Sequence, residues 1–131
     1  MWLRNYAEAD DQAYFIIEID GQSVGTVRLY DAKDDSFCWG SWILAANAPK
    51  TAAIESALMV YAYAVDHLGF QSAHFDVRKS NQRVWNFHER FGAVRTSESD
   101  NDYFYALTLV EIQKSRKRYS KYLPEGIALT E

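Results

Sequence analysis

The stretch DVRKSNQRVWNFHERFGAV, residues 76–94, leaves an apolar strand through a charged turn and enters a short helix. At about 100° per residue, Asn81, Trp85 and His88 fall within about 60° of one another on that helix. They form a shoulder beside an apolar stripe of Val84, Phe87 and Phe91, while Gln82, Arg83, Asn86, Glu89 and Arg90 take the opposite, solvated face. A helix that only packed would need neither the Trp nor the His. The shoulder offers a hydrogen-bonding amide, an aromatic wall and a ring that exchanges protons near neutral pH. The plainer account makes Asn81 a helix cap, Trp85 filler and His88 a surface histidine with an ordinary partner. Ser80 is a good N-cap in its own right, which leaves Asn81 free for another role.

A second candidate lies at ANAPKTAAIES, residues 46–56, where a long helix starts directly after a strand. The first turn of a helix presents unpaired N–H groups and a partial positive charge, which together suit a phosphate. Ala52 and Ala53 would let a ligand approach the backbone, and Lys50 adds a point charge. No glycine stands between Gly40 and Gly69, so a glycine-rich cradle is absent, and a helix start with small residues for packing explains the same letters. A third feature is the tail, where Lys114, Arg116, Lys117, Arg118 and Lys121 alternate with Tyr119 and Tyr122. Interleaved cations and aromatics can track a nucleic-acid backbone, or form a helix that packs its rings on the domain and leaves its lysines in water.

Elements must position these groups. Residues 13–19, AYFIIEI, read as a β-strand ending at Asp20-Gly21, a strong hairpin signal, and 23–30, SVGTVRLY, as a second with a possible bulge at Gly25. DAKDDS is a turn and 37–44, FCWGSWIL, a third strand, which together make an antiparallel meander. Residues 2–9 read as helical, from the spacing of Trp2, Leu3 and Tyr6. Between Thr51 and Leu68 the period changes: Ile54, Ala57, Leu58, Tyr61, Val65 and Leu68 make one face of a long helix, with Pro49 before it and Gly69 as its stop. Then come a strand at 71–77, the helix at 80–91 closed by Gly92, a hairpin of 93–97 with 103–109, a short basic helix at 110–122 and a tail at 123–131. The strand–helix–strand crossover makes the third and fourth strands parallel. The fold class is α+β (mixed α/β), a mostly antiparallel sheet with one parallel pair, in a single domain over residues 1–131.

The element order over 13–109 and the segment NQRVWNFHERFGA resemble the GNAT superfamily of acyl-CoA-dependent N-acetyltransferases. Asn81 matches that family's Asn, His88 stands where it usually has Tyr, and Phe91-Gly92-Ala93 match its closing triplet. YAVDHLGF, Tyr63 to Phe70, is similar to the family's end of the long helix. The resemblance implies that the parallel strands splay and that the pantetheine arm of acetyl-CoA lies between them, paired with backbone at Trp42, Ile43 and Leu44. It implies pyrophosphate at Lys50, Thr51, Ala52 and Ala53, contact of the arm with Asn81, and Trp85 lining the reactive end. His88 then replaces Tyr as the acid that protonates the departing thiolate. The sequence departs from the family where alanines and Glu55 stand for the glycines of the pyrophosphate loop, and in an expected N-terminal truncation that leaves out the family's first strand and helix.

Transfer to an amine calls for a base within hydrogen-bond reach. Asp76, His74 and Asp31 are the candidates, Asp76 foremost, each equally explained as a solvated turn or strand residue. The implied acceptor is a primary amine of a small molecule, a small amine or an amino sugar, nucleotide-linked or not, favoured over a protein N-terminus. A degenerate domain that binds acyl-CoA without turnover, or serves for dimerisation, is the rival. The chain has 131 residues, 48% of them apolar, and a net charge of −4, which argues against disorder and against a surface that attracts nucleic acid or anionic membrane. Cys38 has no disulfide partner and no cluster suggests a metal, which points to the cytoplasm. An exposed sheet edge is expected to be covered by the C-terminal segment or by a second copy in a homodimer.

Overall fold

The computed structural model describes the backbone of residues 2–9, 12–19, 21–46, 48, 51–122 and 128–130, and the side chains of 13–18, 21–40, 42–46, 48 and 51–122. The chain runs through β1 (Trp2–Ala9), β2 (Gln12–Ile19), β3 (Gln22–Lys33) and β4 (Ser36–Leu44), then α1 (Ala52–Ala62), β5 (Ser72–Arg78) and α2 (Gln82–Arg90). It continues with β6 (Val94–Glu98), β7 (Asp102–Thr108), α3 (Leu109–Arg118) and β8 (Ala128–Thr130). One sheet holds all the strands in the order β6-β7-β5-β4-β3-β2-β1-β8. Its pairs are antiparallel except β4–β5 and β1–β8. This is the mixed, mostly antiparallel sheet expected from the sequence.

The expected N-terminal helix is instead β1, paired antiparallel with β2. The register slips between Asn5 and Ala7, so Tyr6 is a bulged residue. A bulge breaks the two-residue period of a strand, and that is why Trp2, Leu3 and Tyr6 imitate helical spacing. The expected turn DAKDDS is shorter than it reads: β3 runs on to Lys33, and the reversal falls at Asp34 and Asp35. Asp34 and Asp31 have φ of 54° and 48°, the left-handed region that Asp tolerates better than most residues. Gly21, with φ of 79°, lies in the turn between β2 and β3.

The long helix is less amphipathic than its letters suggest. Every residue from Ser56 to Ala62 is buried, Met59 and Val60 included, while Leu68 is largely exposed. From Tyr63 to His67 the helix widens to π geometry, with Leu68 N–H bonded to the Tyr63 carbonyl, and Gly69 at φ 76° ends it. Inward-facing Phe15, Ile17, Val27, Leu29, Phe37, Ala73, Phe75, Tyr105 and Leu107 alternate along their strands and pack against α1, whose Tyr61 stacks on Phe91 at 5.9 Å. The tail helix α3 is capped by Thr108, whose hydroxyl accepts from Glu111 N–H, and is docked by buried Ile112 and by Ser115, whose hydroxyl donates to the Phe91 carbonyl at 2.7 Å. Tyr119 stacks on Phe91 at 5.2 Å, and Arg116 makes a two-pronged ion pair with Asp66. That is the packing account of the basic tail rather than a free cationic stripe.

Candidate functional site

The parallel pair β4–β5 is joined only at Ser36 with Ser72 and Phe37 with Ala73. Beyond those residues the strands part, and the backbone groups of β4 that face β5 have no strand partner there. Such an edge can pair with an extended ligand. A second irregularity bends β4 itself. Gly40 lies opposite Arg28 and Ile43 opposite Thr26, so two residues of β4 stand against Val27. In an even strand Trp39 and Trp42 would face opposite sides, but the bulge brings them to one side with ring centroids 4.9 Å apart. Gly25 supports this bend, since a Cβ there would collide with the Ile43 carbonyl oxygen.

The opening so formed is a cleft of about 150 Å³ lined by Trp39, Gly40 and Trp42 from β4, Phe75 to Arg78 from β5, and Asn81, Val84 and His88 around α2. Its neighbour, about 250 Å³, is lined by Trp42, Leu44, Ala53, Arg83, Val84, Phe87 and Arg90. Trp42 and Val84 line both, so the two adjoin there as two parts of a groove, one beside the splayed strands and the other beside the first turn of α1. The Trp42 indole donates to Ser56 Oγ at 3.1 Å, and Ser56 in turn donates to the Ala53 carbonyl, tying the wall of the groove to that first turn.

His88 is 5% exposed and sits among Phe75, Trp39 and Trp42, with centroids 4.1, 5.2 and 5.9 Å away. Burial pulls its pKa down to about 3, because nothing charged offsets the lost hydration of an imidazolium. At neutral pH it is a neutral ring, and its Nδ1 is buried without a hydrogen-bond partner. The expectation of an imidazolium acid, or of a surface histidine, therefore does not fit this environment. What the site holds is a neutral hydrogen-bonding group at the wall of the cleft.

Asn81 occupies the N-cap position of α2 in place of Ser80, yet its side chain makes no capping bond, and it is exposed at the cleft. Trp85 lines neither cavity. Its indole donates to the Lys79 carbonyl at 3.1 Å and meets Tyr103 edge-on at 5.7 Å, so it braces the turn before α2. Of the three candidate bases only Asp76 lines the cleft, with its side chain exposed. His74 and Asp31 lie at the closed end of the parallel pair, where His74 Nδ1 is 2.7 Å from Ser36 Oγ and its Nε2 is 3.5 Å from the Asp31 carboxylate. Burial raises the Tyr30 hydroxyl to about 12 and the Cys38 thiol to about 11, with the Asp76 charge adding to both.

At the other end of the groove Ala52 is buried and Ala53 lines the wall. The Thr51 hydroxyl donates to Glu55 Oε1 at 3.0 Å instead of capping the helix. Ile43 is 65% exposed, and Lys50 lies outside the described residues. Sequence reasoning missed Trp39, Arg78 and Arg83 as lining residues. The spacing of Trp39 and Trp42 argues against a shared face unless the bulge is known.

The model of the acetyltransferase (GNAT) domain family matches residues 1–94. The chain belongs to the GNAT acetyltransferase family. Among solved structures it is similar to apo FdhC, a nucleotide-linked sugar GNAT, with 42% identity and a TM-score of 0.83, over 86% of this chain and 66% of that one. The chain thus spans about two thirds of FdhC's length. The Campylobacter jejuni N-acetyltransferase PseH in complex with acetyl coenzyme A shares the fold at 19% identity and TM-score 0.67, covering 76% of this chain and 70% of that one. A GCN5-related N-acetyltransferase from Brucella melitensis does so at 18% and 0.76, over 88% and 59%. No curated protein matches. The splayed strands and the groove beside α2 are therefore those of a GNAT domain, and no helix among the described residues is long and apolar enough to cross a membrane.

Proposed function

We propose that this GNAT domain transfers an acetyl group from acetyl-CoA to the primary amine of an amino sugar carried on a nucleotide. The observation that carries the reading is the cleft between splayed β4 and β5, with unpaired strand backbone on one side and Asp76, Asn81 and His88 around it. The likeness to FdhC supports the acceptor class, and the acetyl coenzyme A complex of PseH supports the donor.

In this reading the pantetheine arm pairs with β4 backbone from Trp42 to Leu44, and the Asn81 amide holds the arm as it passes. The amine attacks the thioester carbonyl carbon, the carbon–sulfur bond breaks, and the nitrogen must lose one proton. Asp76, its side chain open to solvent, takes that proton directly or through water. Neutral His88 offers the acyl end a hydrogen bond from inside an aromatic wall, where such a bond is stronger than in water. The thiolate leaves with its charge and is protonated from solvent.

Calorimetric titration with acetyl-CoA, CoA and ATP tests the donor: the first two bind and ATP does not. Turnover with nucleotide-linked amino sugars set against free small amines and peptide N-termini tests the acceptor. Asp76→Asn lowers kcat by about 10²-fold with little change in the affinity for acetyl-CoA. Unchanged turnover in that variant would remove Asp76 from the mechanism, and tight donor binding with no turnover on any amine would favour a degenerate binding domain.

A further inference from the structure

The wider part of the groove carries a charge pattern that the acyl chemistry does not use. Arg83 and Arg90 both line it, seven positions apart on α2. Seven residues are within about 20° of two full turns, so the two side chains leave one face of the helix from backbone positions about 10 Å apart along its axis. Phe87 lines the groove between them and meets Trp42 edge-on at 5.1 Å. Half of the described lysines and arginines face a carboxylate: Lys33 that of Asp31, Arg78 that of Asp102, Lys79 that of Glu98, Arg95 that of Glu89, Lys114 that of Glu111 and Arg116 that of Asp66. Among the described residues, neither Arg83 nor Arg90 has a carboxylate partner. The single bond of Arg90 is a long one, 3.5 Å, from Nε to the Asn86 carbonyl. Arg118 adds a third cation nearby, its Nη1 reaching the Arg90 carbonyl at 3.5 Å. On a chain of net charge −4 this is a local anion-attracting rim above an apolar floor.

We infer that Arg83 and Arg90 recognise the 3′-phosphomonoester at the nucleotide end of CoA, an assignment that rests on the donor reading above. The two parts of the groove adjoin at Trp42 and Val84, so a ligand that crosses there with its acyl end at His88 carries its nucleotide end past Phe87. A phosphomonoester bears about −1.5 to −2 charges at neutral pH and three acceptor oxygens. Two planar forks on one helix face match it better than they match the singly charged diesters of the pyrophosphate. The same rim compensates for the glycine-poor start of α1, where Glu55 stands in the first turn.

The test compares CoA with 3′-dephospho-CoA by calorimetry on the wild-type chain, Arg83→Gln, Arg90→Gln and the double variant. Wild type binds CoA about tenfold or more tightly than the dephospho form, each single variant narrows the gap, and the double variant brings the ratio to about one. Affinity for the dephospho form stays within about twofold throughout. Both side chains are exposed, so thermal unfolding of the variants should match wild type and serves as the control for folding. A wild-type ratio near one, a ratio that survives the double substitution, or equal weakening of both ligands overturns the assignment, the last pointing to the pyrophosphate instead. Failure of wild type to bind either ligand at millimolar concentration would be a different result, since it removes the donor reading itself.

Discussion

His88 shows how far a residue's chemistry depends on what surrounds it. The same imidazole that titrates near neutral pH in water is held neutral here by Phe75, Trp39 and Trp42. Its folded pKa of about 3 lies below the unfolded value near 6.5. The unfolded chain therefore binds the extra proton first as pH falls, and stability is full above about 6.5 and declines on the way down to about 3. The expected slope is roughly 1.4 kcal/mol per pH unit in that window. His88→Phe, which keeps an aromatic ring against Phe75, should remove this component. Urea unfolding at about pH 7.5 and 5.5 measures it, and equal pH dependence in the two proteins would mean the ring is more solvated than its packing indicates.

Elements decide whether those residues meet. The β4 bulge turns Trp42 to the side of Trp39, and the absence of a Cβ at Gly25 lets the Ile43 carbonyl sit against β3. Gly25→Ala forces that segment outward. We expect a loss of about 1–3 kcal/mol in stability together with weaker acetyl-CoA binding, because the shifted backbone is the wall proposed to pair with the pantetheine arm. Unfolding and calorimetry on one sample separate the two effects. Lower stability with unchanged affinity would mean the arm does not rely on that stretch of β4. Trp85 carries the complementary lesson, since a place on the right shoulder of α2 was not enough: its hydrogen bond to the Lys79 carbonyl draws it away from the groove.

At the scale of the whole molecule, the sheet has to end somewhere. β8 adds in parallel to β1, so the C-terminal segment covers the edge expected to need protection, while β6 remains at the other end of the sheet. Removing residues 123–131 uncovers the β1 edge, and sedimentation at rising concentration should show greater self-association than the full chain. An unchanged distribution would mean that β1 resists edge pairing on its own, through its bulge at Tyr6.

The letters alone determined the strands from Ala13 to Leu44, the crossover that makes β4 and β5 parallel, the short helix beside Asn81, and through NQRVWNFHERFGA the family itself. Each of these is written in local periodicity, turn chemistry or a contiguous motif, which a linear string carries intact. Only the tertiary structure decided that Tyr6 is a bulged strand residue, that Trp39 and Trp42 share a face, that Asp76 reaches the cleft while His74 and Asp31 do not, and that His88 is a neutral buried ring. Bulges shift the parity of a strand by one residue, and burial depends on groups brought from distant positions. Neither quantity exists until the chain has closed on itself.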